Sequence, residues 1–323
     1  VDMPAGTVWR IAWSRLLQAL GMQPPPLEGI TPQHQQIVWL IRMPRVLLAA
    51  LVGAGLAVVG TIMQAMVRNP LADPYLLGVS SGASVGAVAV LAFGALASAG
   101  MYALTAGAFA GALAATVAVY LLARSQGRIH ATRLILGGVA IGYVLAGVTS
   151  LITLSSGQRD LANALLTWTL GSLAGTQWEE LGIPAAVLAA GMLWLGLQTR
   201  PLNALLAGDE AAATLGVDTA RLRRALFLAV SLLTGTMVAV SGAIGFVGLI
   251  VPHAARMLVG TDHRRVLPVA ALAGALLLVL VDLVARTAFA PMELPVGVIT
   301  SLIGGPFFVW MLVRQPVQGG RGP

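Results

Sequence analysis

Long apolar runs alternate with short polar breaks along most of this sequence. Taking ~20 apolar residues as one bilayer crossing, the runs near 44–66, 75–98, 101–123, 133–154, 181–199, 225–244, 246–259, 266–288 and 295–313 predict nine membrane helices. The run at 246–259 is short and interrupted by Gly and Pro, a candidate for a segment that does not cross alone. Residues 1–40 are patchily apolar and broken by Pro24, Pro25, Pro26 and Pro32, so they read as an external N-terminal segment. Within them, Val8–Leu20 predicts a short amphipathic helix on the membrane surface. Segment 155–180 starts polar and then carries Trp168, Gly171, Ser172 and Trp178. It predicts a loop with a short helix at the interface, where Trp is favoured.

Composition sharpens this reading. The chain is 58% hydrophobic and 10% charged, against about 25% charged in soluble domains. The expected fold class is therefore all-α, a polytopic transmembrane helical bundle, because bilayer-embedded backbone must satisfy its own hydrogen bonds. An outer-membrane barrel would show short alternating segments instead. Net charge is +7 and every basic residue is Arg. Without Lys there is no Walker A loop and no Schiff-base chemistry. The arginines lie between apolar spans and form no nucleic-acid patch. With no Cys, disulfides and thiolate metal sites are excluded.

Arginine placement sets orientation. With the first loop outside, Arg68, Arg124, Arg128, Arg133, Arg200, Arg221, Arg223, Arg224, Arg256, Arg264, Arg265, Arg314 and Arg321 fall inside, 13 of 19. The C-terminus is then cytoplasmic. Arg10, Arg15, Arg42, Arg45, Arg159 and Arg286 remain outside. A shift of 182 residues places Gly53 on Gly235, Gly60 on Gly242, Pro70 on Pro252 and Gly78 on Gly260. The copies start at the first and the sixth run, five spans apart, so they point in opposite directions and form an inverted repeat of the kind that frames a substrate path. Gly78, Gly82 and Gly86, and again Gly138 and Gly142, have the spacing of close helix packing.

Seven motifs together resemble the permease subunits of type II bacterial ABC importers, the FecCD-type family that carries ferric siderophores, haem and vitamin B12. They are RMPR at 42–45, RNPLADP at 68–74, GVSSGAS at 78–84, WTLGSL at 168–173, GFVGLIVPHAAR at 245–256, TDHR at 261–264 and ELPVGVITSLIGGPFF at 293–308. The resemblance covers essentially the whole chain, read as a single permease domain over 1–323. Family members have ten spans. Nine are visible and the motifs begin after the family's first span, so that span is expected to be missing from this sequence. The resemblance implies a homodimer in the bacterial inner membrane, with two ATP-binding cassette ATPase subunits inside and a periplasmic substrate-binding protein outside. Membrane lipid is a further partner; no cofactor and no nucleic acid is expected. The chain would perform no chemistry, leaving ATP hydrolysis to its partners. Haem or a ferric siderophore is the expected cargo, since WTLGSLAG and the LRR after Ala220 resemble haem permeases more than cobalamin permeases.

The resemblance also assigns roles to particular residues. Arg42 and Arg45, at the outer mouth of the first span, and Arg286, at the end of the eighth, break the positive-inside pattern. In similar permeases, arginines at these positions receive glutamates of the binding protein, which suits the bidentate guanidinium fork. Between Pro201 and Arg224, Ala204–Ala207 and Asp209–Leu215 predict two short helices around Gly208. Asp209 and Glu210 sit where negative charge suits a helix start, and Gly216 is a plausible C-cap. By resemblance this loop is the ATPase-coupling element, with Ala204, Leu205, Leu206, Gly208, Asp209, Glu210, Ala211, Leu215 and Gly216 in contact. Thr149, Ser150 and Thr153 are expected to line the translocation path, although such hydroxyls also bond back to their own helix. Asp282 is the one carboxylate deep in an apolar run. It must face protein, pair with a donor or be protonated, because a mid-helix charge costs roughly 2.5–3.5 kcal/mol. It is the basis of an alternative reading, an ion-coupled secondary transporter. His253 and His263 could in principle ligate haem iron, but both belong to the general family pattern. No residue set for catalysis or metal binding has the required spacing.

Overall fold

The computed structural model describes residues 3–125, 128–129 and 131–314. The helices, in order, are α1 (Ala5–Ala19), α2 (Pro32–Gln36), α3 (Met43–Val67), α4 (Val79–Phe93), α5 (Ala103–Ala123), α6 (Ala131–Ser156) and α7 (Arg159–Thr169). They continue with α8 (Gly182–Leu197), α9 (Thr199–Leu206), α10 (Asp209–Thr214), α11 (Thr219–Ser241), α12 (Val247–Val259), α13 (His263–Thr287) and α14 (Val296–Arg314). The only extended pairing among the described residues is a two-residue ladder of Arg124–Ser125 with Arg128–Ile129. The fold is an all-helical bundle.

Seven helical stretches among the described residues are long and apolar enough to cross a membrane, and α4 and α12 are shorter apolar helices. All nine runs read from the sequence are therefore helical. Two boundaries differ from expectation. The run at 75–98 yields only the 15 residues of α4. Its first residues form a 3-10 turn, Pro74–Leu77, capped by the Asp73 side chain, and Gly78 and Gly94 both take positive φ at its ends. The first span also begins earlier than 44. α2 runs through a π-helical turn, Ile37–Arg42, into α3, giving one stretch from Pro32 to Val67. Arg42 and Arg45 thus lie inside a continuous helix rather than at its mouth. Arg321, placed inside by charge counting, is outside the described residues.

α3 is the axis of the bundle. Every residue from Val52 to Met66 is buried, the mark of a helix apolar all round and enclosed by others. One side of α3 joins a core with α4, α5, α8 and α11, including Ile62, Ala108, Leu195 and Phe227. The other joins a core with α12 and α13, including Leu48, Val251 and Leu278. Close approach explains the glycines. A Cβ on Gly53 would overlap the backbone of Gly274 in α13, and Gly82 and Gly86 of α4 lie against Gly111 and Gly107 of α5. Small residues allow backbones to approach where lipid supplies no hydrophobic drive for association. The 182-residue shift pairs α3 with α11, with Gly53 and Gly235 both inside their helices. Beyond that the copies diverge: Gly60 lies within α3, whereas Gly242 ends α11.

Candidate functional site

α3 and α13 run antiparallel, which brings the start of one to the end of the other. There, Arg45 donates to Asp282 from Nε at 2.9 Å and reaches the same carboxylate through Nη2 at 2.9 Å. Its Nη1 donates to Glu293 at 2.7 Å. Arg286, one turn beyond Asp282, approaches the second carboxylate oxygen at 3.1 Å. The Asp282 side chain is 1% exposed and that of Arg45 8%, while Glu293 is 49% exposed. Asp282 therefore resolves its intramembrane charge by pairing. Two guanidinium groups hold it, so its charge is committed to structure, and the geometry does not favour the ion-coupled alternative. The three arginines at this end differ in exposure. Arg45 is buried and occupied, Arg286 is partly buried, and Arg42 is half-buried at the end of the π turn. The same end is fixed by Trp178, which stacks on Trp39 at 4.6 Å and donates from its indole to the Trp39 carbonyl at 2.8 Å.

The opposite end collects the arginines. α9 and α10 are the two short helices predicted around Gly208, with α9 starting earlier than expected, at Thr199. Gly208 takes φ 114° between them. Leu205 is buried in the core, whereas Leu206 and Leu215 are exposed. α10 ends as a Schellman motif: Gly216 N–H donates to Ala213 and Val217 N–H to Ala212, with Gly216 in the left-handed conformation that glycine adopts without strain. Arg223 and Asn203 tie this pair to spanning helices. Arg223 of α11 donates to Asp209 at 2.7 Å and to the Met66 carbonyl at the end of α3 at 2.6 Å. The Asn203 amide donates to Asp262 at 2.7 Å, and its oxygen accepts from the His263 backbone at 2.9 Å and faces the His263 ring Nδ1 at 2.7 Å. Hydrogen bonds from Asn203 and from the Arg264 backbone hold the exposed Asp262 carboxyl below its ordinary pKa. His263 is thus engaged with Asn203, and His253 packs edge-on against Phe307.

Two helix breaks are bonded to each other between these ends. The Tyr75 hydroxyl accepts from Ile244 N–H at 2.8 Å and donates to the Ile244 carbonyl at 2.9 Å. This joins the 3-10 turn before α4 to the break between α11 and α12. The Asp73 carboxylate accepts from Tyr75 N–H at 2.8 Å and caps this turn.

Thr149, Ser150 and Thr153 open onto one groove of about 470 Å³ between α4, α6 and α7. Thr153 bonds back to the Thr149 carbonyl, whereas the buried Thr149 hydroxyl has no partner among the described residues. The facing wall was not anticipated. Ser80, Ser81 and Ser84 of α4 line it. They belong to GVSSGAS, whose glycines drew attention to packing while its serines lie on the adjoining face. Asn203 and Glu293 were also missed, because neither lies in an apolar run where a polar residue stands out.

The sequence matches the FecCD transport family over residues 3–314. The chain belongs to that family. The match begins well before the RMPR motif and takes in α1. Among curated relatives, the haemin transport permease HmuU of Yersinia pestis is 46% identical over 87% of this chain and 84% of its own length. The cobalamin import permease BtuC of Halobacterium salinarum is 47% identical over 91% of this chain and 78% of its own. A solved inward-facing, metal-chelate type ABC transporter superposes with a TM-score of 0.80 at 32% identity, covering 96% of this chain and 98% of that one. This FecCD protein is a permease of the ABC-importer type.

Proposed function

We propose that this FecCD chain, as a single permease domain over 1–323, is one half of a homodimeric permease that imports an iron-containing chelate, haem or a ferric siderophore. Two ATPase subunits bind the cytoplasmic Arg-rich end and one substrate-binding protein docks at the other, in a bacterial inner membrane with the C-terminus inside. The chain performs no chemistry; ATP hydrolysis resides on the partners. The observation that carries this reading is the bonding of α9 and α10 to α3, α11 and α13 through Arg223 and Asn203. A force on the exposed Leu206 and Leu215 would pass directly into three spanning helices. Ala204, Leu205, Gly208, Asp209, Glu210, Ala211 and Gly216 shape that docking surface. At the other end, Arg42 and Arg286 receive carboxylates of the binding protein, and Arg45 joins them where Glu293 gives way. Cargo passes along Thr149, Ser150 and Thr153.

Import of cobalamin is the second reading, supported by the 47% identity to the Halobacterium salinarum permease. The deciding experiment is uptake into proteoliposomes containing the chain with its ATPase and binding protein. Haem, a ferric siderophore and cobalamin are offered with and without internal ATP at matched ion gradients. ATP-dependent uptake of haem or the siderophore is expected. Uptake that ignores ATP and follows a proton gradient would overturn the importer reading, and uptake of cobalamin alone would select the second.

A further inference from the structure

At the Arg-rich end, the last turns of α8, the start of α9 and the first turns of α13 enclose a cavity of about 510 Å³. Its lining is divided. Met192, Leu197, Leu267 and Pro268 form an apolar part, and Arg200 and Arg264 a cationic part. Both arginines are exposed, and among the described residues neither guanidinium has an ion pair or a side-chain hydrogen bond. Two neighbouring arginines are engaged within the chain: Arg223 is bonded to Asp209, and Arg256 to Gln64.

The apolar part continues into an exposed apolar surface. Leu197 and Leu193 are one turn apart on α8, and Pro268, Leu272 and Leu276 follow at one-turn intervals on α13. Residues four apart share a helix face. Leu193, Leu197, Leu272 and Leu276 are each more than half exposed on helices that belong to candidate membrane spans. An acyl chain lying along these stripes would lead to the two guanidinium groups.

We propose that this seam binds an anionic phospholipid. The phosphodiester sits between Arg200 and Arg264, and an acyl chain runs down the groove between α8 and α13. Guanidinium forks match phosphate oxygens, and basic pockets between spanning helices on the cytoplasmic side suit anionic headgroups. The apolar stripe selects a lipid over a soluble phosphate. The site adjoins His263, which is bonded to Asn203 of α9, so an occupied seam braces the joint between α9 and α13. The assignment does not depend on the cargo or on the partner subunits.

The test uses the full chain, delipidated and returned to nanodiscs of phosphatidylcholine with or without phosphatidylglycerol. Retained lipid is read by native mass spectrometry and stability by the unfolding midpoint. Wild type is expected to retain phosphatidylglycerol and to gain a higher midpoint from it. Arg200→Gln with Arg264→Gln is expected to bind it about thirtyfold more weakly, from two basic contacts near the surface. Arg221→Gln with Arg224→Gln, the same charge change away from the seam, is expected to behave as wild type. Gly196→Trp fills open space at the apolar part without touching either arginine and is expected to lose the lipid too, which keeps the test decisive if the Gln pair folds poorly. Equal retention by the Gln pair and Gly196→Trp would overturn the proposal, as would equal losses in the control pair. Full displacement by inorganic phosphate would assign the arginines to a soluble anion instead and also overturn it.

Discussion

Arg45 and Asp282 form a buried ion pair whose value lies in its completeness. Removing one partner from such a pair costs about 3–5 kcal/mol, because the other charge is left without compensation. Arg45→Ala is therefore expected to destabilise the chain by that order, and Asp282→Asn combined with Arg45→Gln by distinctly less. Thermal unfolding of the single and double variants in detergent measures the coupling. Tyr75→Phe should cost about 1–3 kcal/mol by leaving Ile244 unpaired at a buried break, read the same way. At this scale the sequence was partly legible. Asp282 had to find a donor because of where it stands, but nothing local named Arg45, which lies 237 positions away.

The helices were legible as apolar runs, and their ends less so. α4 is shorter than its apolar run because positive-φ glycines bound it, and composition alone does not reveal backbone sign. α3 begins early because the π turn carries the helix through Trp39 and Arg42 without a capping residue. Two short helices around Gly208 were legible, since a helix stop and start are written in local residues, although α9 begins five residues earlier than the pattern suggested. Their attachment was not, because Asn203 binds residues about 60 positions further on. Asn203→Ala is expected to leave assembly intact and to lower ATPase-driven uptake several-fold while hydrolysis continues, measured as the ratio of cargo moved to ATP consumed. Gly53→Ala tests the crossing of α3 and α13. Its methyl meets the Gly274 backbone, which cannot rotate aside as a side chain can, so the variant should elute as aggregate on gel filtration.

Across the whole molecule, burial is uneven. The central part of α3 is enclosed, whereas the most apolar window of the stretch Thr132–Ser156 is only 11% buried. Tyr143, Leu151 and Leu154 project from α6 with 68–81% exposure. Such a face suits a second copy of the chain, with the hydroxyl groove beside it. Because the protein contains no cysteine, Leu154→Cys gives a single reporter. An oxidised dimer on non-reducing gels is expected from membranes, and an absence of cross-linking would count against a homodimer through α6. The 182-residue shift, read from glycine and proline spacing, falls on two helices, α3 and α11. It did not capture how differently the two copies end, because that depends on which neighbours each helix meets.

The separation of Arg45 from Asp282 has a consequence for biogenesis. At about 5–20 residues per second, the ribosome makes α3 roughly ten to fifty seconds before it makes Asp282. During that interval neither Asp282 nor Glu293, the two carboxylates that hold Arg45, has been made. The ion network at the start of α3 is thus completed by residues translated long after that helix has left the ribosome.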